Sequence, residues 1–268
     1  MKLNLVPART GAEWVRIGLK TFWRQPLAFI SLFFLFMASI SIASQLPLIG
    51  SVLAPILLPF MTLGLMVATS VAHTADRQKP AAPAMFIAAA EAVKTRWRPM
   101  IVLGLISAAY FVIAVGLSAL IDGGHLATAY LLDTTVPEEV MKSSDFQIAR
   151  LFVMVLNLPL SLAMWHAPAL VHWHQVEPVK ALFFSLVALF RNFGAYAMFC
   201  LSWFGVFLAA GIGIGLLATV LVGVGAMGMG GGASAIGSAL MLGAALVLAA
   251  MSLSSTWFTF RDSFRADE

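Results

Sequence analysis

Charge is what this chain has least of. Of its 268 residues, 10% are Asp, Glu, Lys or Arg and 61% are hydrophobic, whereas an ordinary soluble domain carries roughly 25% charged residues. That balance excludes a water-soluble core. Cysteine is nearly missing too: the single thiol, Cys200, sits in an apolar run, so no internal disulfide can form, and it reads as a small packing residue. There is no separate basic domain. The net charge of +4 comes from Lys and Arg beside apolar runs, which speaks for membrane orientation and against a nucleic-acid partner. The opening residues, MKLNLVPARTGAEW, lack the apolar core and small-residue cleavage site of a secretory signal. The first span is therefore expected to act as the insertion signal, without cleavage.

What the chain has instead is long apolar runs. A helix of about 20 mostly apolar residues crosses roughly 30 Å of hydrocarbon, and six runs qualify: 26–44, 48–72, 99–120, 151–173, 193–222 and 233–257. The expected fold is all-α, a single polytopic membrane domain over 1–268. Pro55 and Pro59 predict a kink or late start in the second span, as do Pro159 and Pro168 in the fourth, because each proline removes a backbone donor.

Amphipathic stretches stand before alternate spans. In residues 11–24, Glu13, Arg16, Lys20 and Arg24 form a charged stripe opposite Trp14, Val15, Gly18, Leu19, Phe22 and Trp23; such a helix is expected to rest in the headgroup plane. From Pro83 a second helix groups Phe86, Ala89, Ala90, Val93 and Trp97 against Glu91, Lys94, Thr95 and Arg98. From Pro178 a third, greasier one shows Leu182, Phe183, Leu186 and Phe190, with Lys180 and Arg191 as its charges. Surface helix, span, short turn, span then repeats as three tandem units, near 10–75, 83–173 and 178–258, with a charged tail at 259–268. Between the third and fourth spans, 122–150 is acidic and is expected to hold a short helix from Pro137; its Glu138, Glu139 and Asp145 read as a solvated face.

Fourteen of the sixteen Lys and Arg residues fall on the side of the termini, leaving Lys142 and Arg150 opposite. By the positive-inside rule, both termini and the three amphipathic helices face the cytoplasm of a bacterial inner membrane. Repeats of two spans each would point the same way, as parallel repeats.

Candidate chemistry is sparse. His166 is the ionisable side chain inside a span, a functional suspect by its position. Asn157, Ser161, Tyr110 and Tyr196 are its possible partners, and a neutral imidazole bonded to a carbonyl freed by Pro159 or Pro168 is the plainer reading. His73, Asp76, His172 and His174 invite zinc, but ligands at i and i+2 point to different faces of a helix, so an interfacial anchor around Trp173 is favoured over metal. Gly223, Gly225 and Gly228 match the dinucleotide fingerprint by letter but lack the strand and downstream acid that it needs. Gly211 with Gly215, and Ala235 with Ala239 and Gly243, place small residues on one face of the last two spans. That predicts close packing of these spans, or an oligomer interface.

The stretches EWVRIGLKTFWRQP, WHAPALVHWHQVEPVKALFFSLVALFRN and FTFRDSF resemble a family of six-span proteobacterial inner-membrane proteins with no assigned activity. They are also distantly similar to the membrane domain of some glycerophosphodiester phosphodiesterases, though the chain has no room for the soluble catalytic domain. The resemblance implies a topology and a location, and no catalytic residue. The expectation is a non-enzymatic membrane protein without cofactor or metal, binding membrane lipid or a membrane partner, a second copy included. Its headgroup contacts would be Arg16, Lys20, Arg24, Lys94, Arg96 and Arg98. The alternatives are a transporter or channel for a small or amphipathic solute, with His166 facing a central cavity, and a metal hydrolase built from the four His and Asp residues above.

Overall fold

A computed structural model describes residues 2–46, 49–74, 82–223 and 231–265, with side chains at all of these except 221–223, 231–240 and 265. Six helices are long and apolar enough to cross a membrane. Three run at or near the expected bounds: α2 (Pro26–Ser44), α3 (Gly50–Thr74) and α5 (Trp97–Asp122). Pro26 and Pro178 stand at helix starts, where a missing N–H costs nothing. The fourth span starts earlier than expected, ends at Trp173 as expected, and is interrupted at one of its prolines. Its helix α8 (Ser144–Met164) begins seven residues early, with the Ser143 hydroxyl accepting from Phe146 N at 3.3 Å. It then breaks at Trp165–His166, and α9 (Ala167–Trp173) resumes beyond. Pro168 explains the break, since it cannot donate to the carbonyl of Met164. Between α5 and α8, the stretch read as a hydrophilic loop is largely helical. Asp122 accepts from Gly124 N and Leu126 N to start α6 (His125–Leu131), and the expected short helix follows Pro137 as α7 (Glu138–Lys142).

The short helices on the side of the termini lie against protein. Helix α1 (Thr10–Phe22) packs on α11 (Phe193–Gly223) and α12 (Gly231–Ser263); α4 (Ala82–Thr95) packs on α3; α10 (Pro178–Arg191) packs on α8 and α9. This corrects the headgroup-plane reading of α1: Trp14, Val15, Gly18 and Phe22 are buried by other helices, and of its aromatic face Trp23 alone is exposed. The other two turn a different face to the protein from the apolar faces named above. Met85, Ala89 and Ala92 are covered on α4, with Ala90 and Trp97 exposed. On α10 the covered residues are Ala181, Ser185, Ala188 and Leu189, while Phe183 and Phe190 point outward at 62% and 69% exposure. Small residues let these helices approach the bundle and leave the bulky ones to lipid.

Helix α3 is the axis of the bundle, touching α2, α4, α5, α9 and α12. Its closest approach is to α5, where Gly104 lies so near Ile56 that a Cβ would strike the Ile56 backbone. The last two spans behave otherwise than expected. Among the described residues a Cβ on Gly211, Gly215 or Gly243 would meet nothing within 4 Å, so at these three positions the spans are not in close contact. Ala235 and Ala239 belong to the positions whose side chains are undescribed. The two helices join nearer the termini, where Trp203 Nε1 donates to Ser255 Oγ at 3.0 Å.

The sequence reading ended the sixth span at 257 and made 259–268 a charged tail, which the fold corrects. Helix α12 continues to Ser263, and Ser254, Ser255, Phe258 and Thr259 are fully buried. Burial is possible because Ser254, Ser255, Thr256 and Thr259 each donate to a carbonyl three residues back, at 2.6–2.8 Å. Phe264 and Arg265 then form a two-residue antiparallel pair with Lys2 and Leu3. Asn192 clasps the same region, accepting from Val6 N at 2.9 Å and donating to Asn4 O at 3.0 Å. The beginning and end of the chain are thereby tied together.

Candidate functional site

Between α3, α5, α8, α11 and α12 lies a cavity of about 960 Å³. The helix contacts show why it exists. Spans α3, α5 and α8 pack in series and α12 packs on α3, but α8 and α11 hardly meet, so the ring of spans stays open on that side. The cavity reaches from Ser51 and Tyr130 at the far end to Pro168, Phe199 and Thr256 toward the termini. Both proline-containing spans contribute: Pro55 and Pro59 line it from α3, and Trp165 and Pro168 line it at the α8–α9 break. Its wall is mainly Leu, Met, Phe and Trp, broken by hydroxyls and by Asn157, and among the described residues no Lys, Arg, His, Asp or Glu lines it.

His166 is not on that wall. It is fully buried behind Trp165, its Nε2 2.8 Å from the Tyr196 hydroxyl, which lies 2.9 Å from Ser263 Oγ. Of the four partners considered, Tyr196 is the one that meets it. Tyr110 bonds Leu156 O, and Asn157 and Ser161 bond carbonyls of their own helix. The carbonyl-bonded reading is corrected as well, since the partner is a hydroxyl. His166 Nδ1 has no partner among the described residues. The polar core continues beside it: Trp165 Nε1 donates to Thr259 Oγ1 at 3.1 Å, and the His166 N–H donates to Ser185 Oγ at 3.1 Å. Hydroxyl networks of this kind fix the orientation of buried rings. Here they lock the α8–α9 break against α10, α11 and α12.

His73, His172 and His174 are also drawn into packing, each against an aromatic ring, while His125 is exposed. His73 meets the Arg261 guanidinium at 3.2 Å and stacks near Trp257 and Phe258. Arg261 is held by Asp262, whose second oxygen accepts from Trp14 Nε1 at 2.8 Å. Trp173, expected as an interfacial anchor, is partly buried with its ring 5.2 Å from that of Phe260. Among the described residues no three His, Cys, Asp or Glu side chains gather as a metal site requires; Asp76 lies outside them, as do Gly225 and Gly228. The six expected headgroup cations divide into two sets. Arg16, Lys20, Lys94 and Arg98 are exposed, whereas Arg24 and Arg96 are half-buried. Arg24 Nη1 donates to Ala72 O at 3.3 Å, and Arg98 lies over its neighbour Trp97 at 5.3 Å.

Six apolar helices with bulky side chains turned outward and a hydroxyl-bonded interior define an all-α polytopic membrane protein. The chain is 33% identical to a probable inner membrane protein of Burkholderia thailandensis, across all of this chain and 96% of that one. It belongs to that protein's family and is a multi-pass inner-membrane protein. No family model and no solved structure matches it, and nothing supports the similarity to the phosphodiesterase membrane domain.

Proposed function

We propose that this inner-membrane protein takes an amphipathic molecule from the bilayer into the cavity between its spans, entering where α8 and α11 stay apart. It acts as a binder or carrier, and no catalytic residue is assigned. The observation that carries this reading is the cavity itself. At about 960 Å³ it stands at the upper end of the 300–1,000 Å³ usual for ligand sites, and its wall combines apolar side chains with a few polar groups. The path differs from the one expected of His166, which serves to hold the cavity floor. The test is to fill the cavity from α8 with Ser161→Phe, at a position on the wall whose side chain is otherwise exposed. Amphiphile retained through purification should fall at least about tenfold, a change of 1.4 kcal/mol, with thermal stability little altered. Unchanged retention would contradict the reading.

A second reading concerns the surface. The distribution of Lys and Arg supports a cytoplasmic position for both termini. The packing of α4 and α10 on the spans before them, and of α1 on the last two, supports three tandem units joined on the side of the termini. Anionic lipid would then meet Arg16, Lys20, Lys94 and Arg98, each contributing about 1 kcal/mol near a negative surface, with smaller shares from the half-buried Arg24 and Arg96. Neutralising all six should strip anionic lipid from the protein in native mass spectra; full retention would rule the collar out.

A further inference from the structure

We infer that the cavity selects an uncharged long-chain amphiphile whose head carries hydroxyl donors, an inference that rests on the binding reading above and narrows it to a chemical class. Charge is the first discriminator. Among the described residues no side chain of the Lys, Arg, His, Asp or Glu type lines the cavity, so a phosphate, carboxylate or ammonium group drawn inside would lose its hydration without a counter-ion. A neutral head group carries no such penalty.

The second discriminator is the direction of the hydrogen bonds. The wall hydroxyls of Thr62, Ser161, Ser252 and Thr256 each donate to carbonyls of their own helices, Leu58, Asn157, Ala249 and Leu253, at 2.7–3.1 Å. Their protons are therefore committed, and what they show the cavity is oxygen lone pairs. The prolines of α3 add to this. Pro55 and Pro59 both line the cavity, and neither can supply the N–H that the carbonyls of Ser51 and Pro55 would otherwise receive. Asn157 likewise spends an amide hydrogen on Val153 O at 2.8 Å. The hydroxyls of Ser51, Ser107 and Tyr130 and one amide hydrogen of Asn157 are the wall's free donors; the four committed hydroxyls, the two carbonyls above the prolines and the Asn157 oxygen outnumber them, and an acceptor left without a partner is costly. A ligand that brings O–H groups satisfies it; a ligand that brings only ether or ester oxygens does not.

The third discriminator is length. The cavity runs from Ser51 and Tyr130 to Thr256 and Pro168, along much of the span, and its side toward the bilayer is open. An acyl chain can lie along the Leu, Met and Phe wall while its head reaches the hydroxyl-bearing faces of α3, α8 and α12.

The test uses full-length protein in nanodiscs and three probes with identical brominated oleoyl-derived chains: a diacylglycerol, its methyl ether and the corresponding phosphatidic acid. Bromine quenches indole fluorescence on contact, and Trp165 and Trp203 stand on the cavity wall. Ser161→Phe narrows the cavity without adding an indole, so the quenching lost in it is the part that arises at the cavity rather than elsewhere on the protein. The diacylglycerol should quench at concentrations at least about tenfold below the phosphatidic acid and severalfold below the ether. Equal or tighter binding of phosphatidic acid overturns the charge selection, and equal binding of the ether overturns the donor requirement. If all three probes quench the native protein no more than they quench Ser161→Phe, the cavity takes no amphiphile, and the underlying binding proposal falls with the inference.

Discussion

Replacing Trp14 with alanine is expected to cost about 3–5 kcal/mol, the range for removing a fully buried large aromatic side chain. Trp14 has no exposed surface and lies 5.3 Å from the Tyr196 ring and 6.2 Å from that of Phe199. Its indole N–H donates at 2.8 Å to Asp262, so truncation also leaves half-buried carboxylate capacity unmet. The neighbours cannot collapse into the gap easily, because Gly11 and Gly18 already bring α1 into backbone contact with Ala195 and Ser255. Unfolding followed by heat or denaturant in detergent would show the loss. The outcome also separates two pictures of α1. A helix floating on the membrane would lose little at Trp14, so a change below about 1 kcal/mol, far short of the cavity cost, would restore the headgroup-plane reading.

Gly104→Leu should be more damaging still. Overpacking a tight core with flexible neighbours costs about 1–3 kcal/mol, but here the group in the way is the backbone of Ile56, which cannot rotate aside. The α3–α5 seam should open, and the protein should lose its monodisperse peak in detergent. Gly116 on the same helix is the control. A Cβ there meets nothing within 4 Å, and Gly→Ala in a helix is worth up to about 1 kcal/mol in favour of folding. Identical behaviour of Gly104→Leu and Gly116→Ala would mean that the two spans are farther apart than the structure places them.

Both predictions turn on contacts that the sequence did not disclose, while other features were legible to within a residue or two. The bounds of α2, α3 and α5 could be read because length and hydropathy are local properties that the hydrocarbon thickness fixes. Pro137 announced α7 for the same local reason. Which face meets protein and which meets lipid could not be read, since lipid tails are as apolar as leucine. Phe183 and Phe190 on α10 stood out as its apolar face and do turn outward, but that the small Ala181, Ser185 and Ala188 would do the packing against protein was not legible. The amphipathic pattern of α1 was correct, but pattern alone does not distinguish headgroups from the ends of α11 and α12.

The candidate site divides in the same way. His166 was visible as a buried ionisable group, and Tyr196 stood among its possible partners. The bond between them depends on α11 arriving beside the α8–α9 break, a contact between distant parts of the chain. Arg261 and Asp262 read as the start of a charged tail because hydropathy falls there. They are instead neutralised by each other and satisfied by His73 and Trp14. The cavity left least trace of all, being a space between helices whose inner and outer faces are equally apolar. Its one signal was the prolines of the second and fourth spans, which suggested kinks without saying what the kinks enclose.

The most direct test of the central claim is the density between α3, α5, α8, α11 and α12 in a lipid-nanodisc structure determined by electron microscopy. Binding of an amphiphile predicts elongated density there, beside Trp203 and Ser161 and continuous with the bilayer between α8 and α11. A ring closed by α8–α11 packing, with Leu160 and Phe204 in contact and no space behind them, would contradict it.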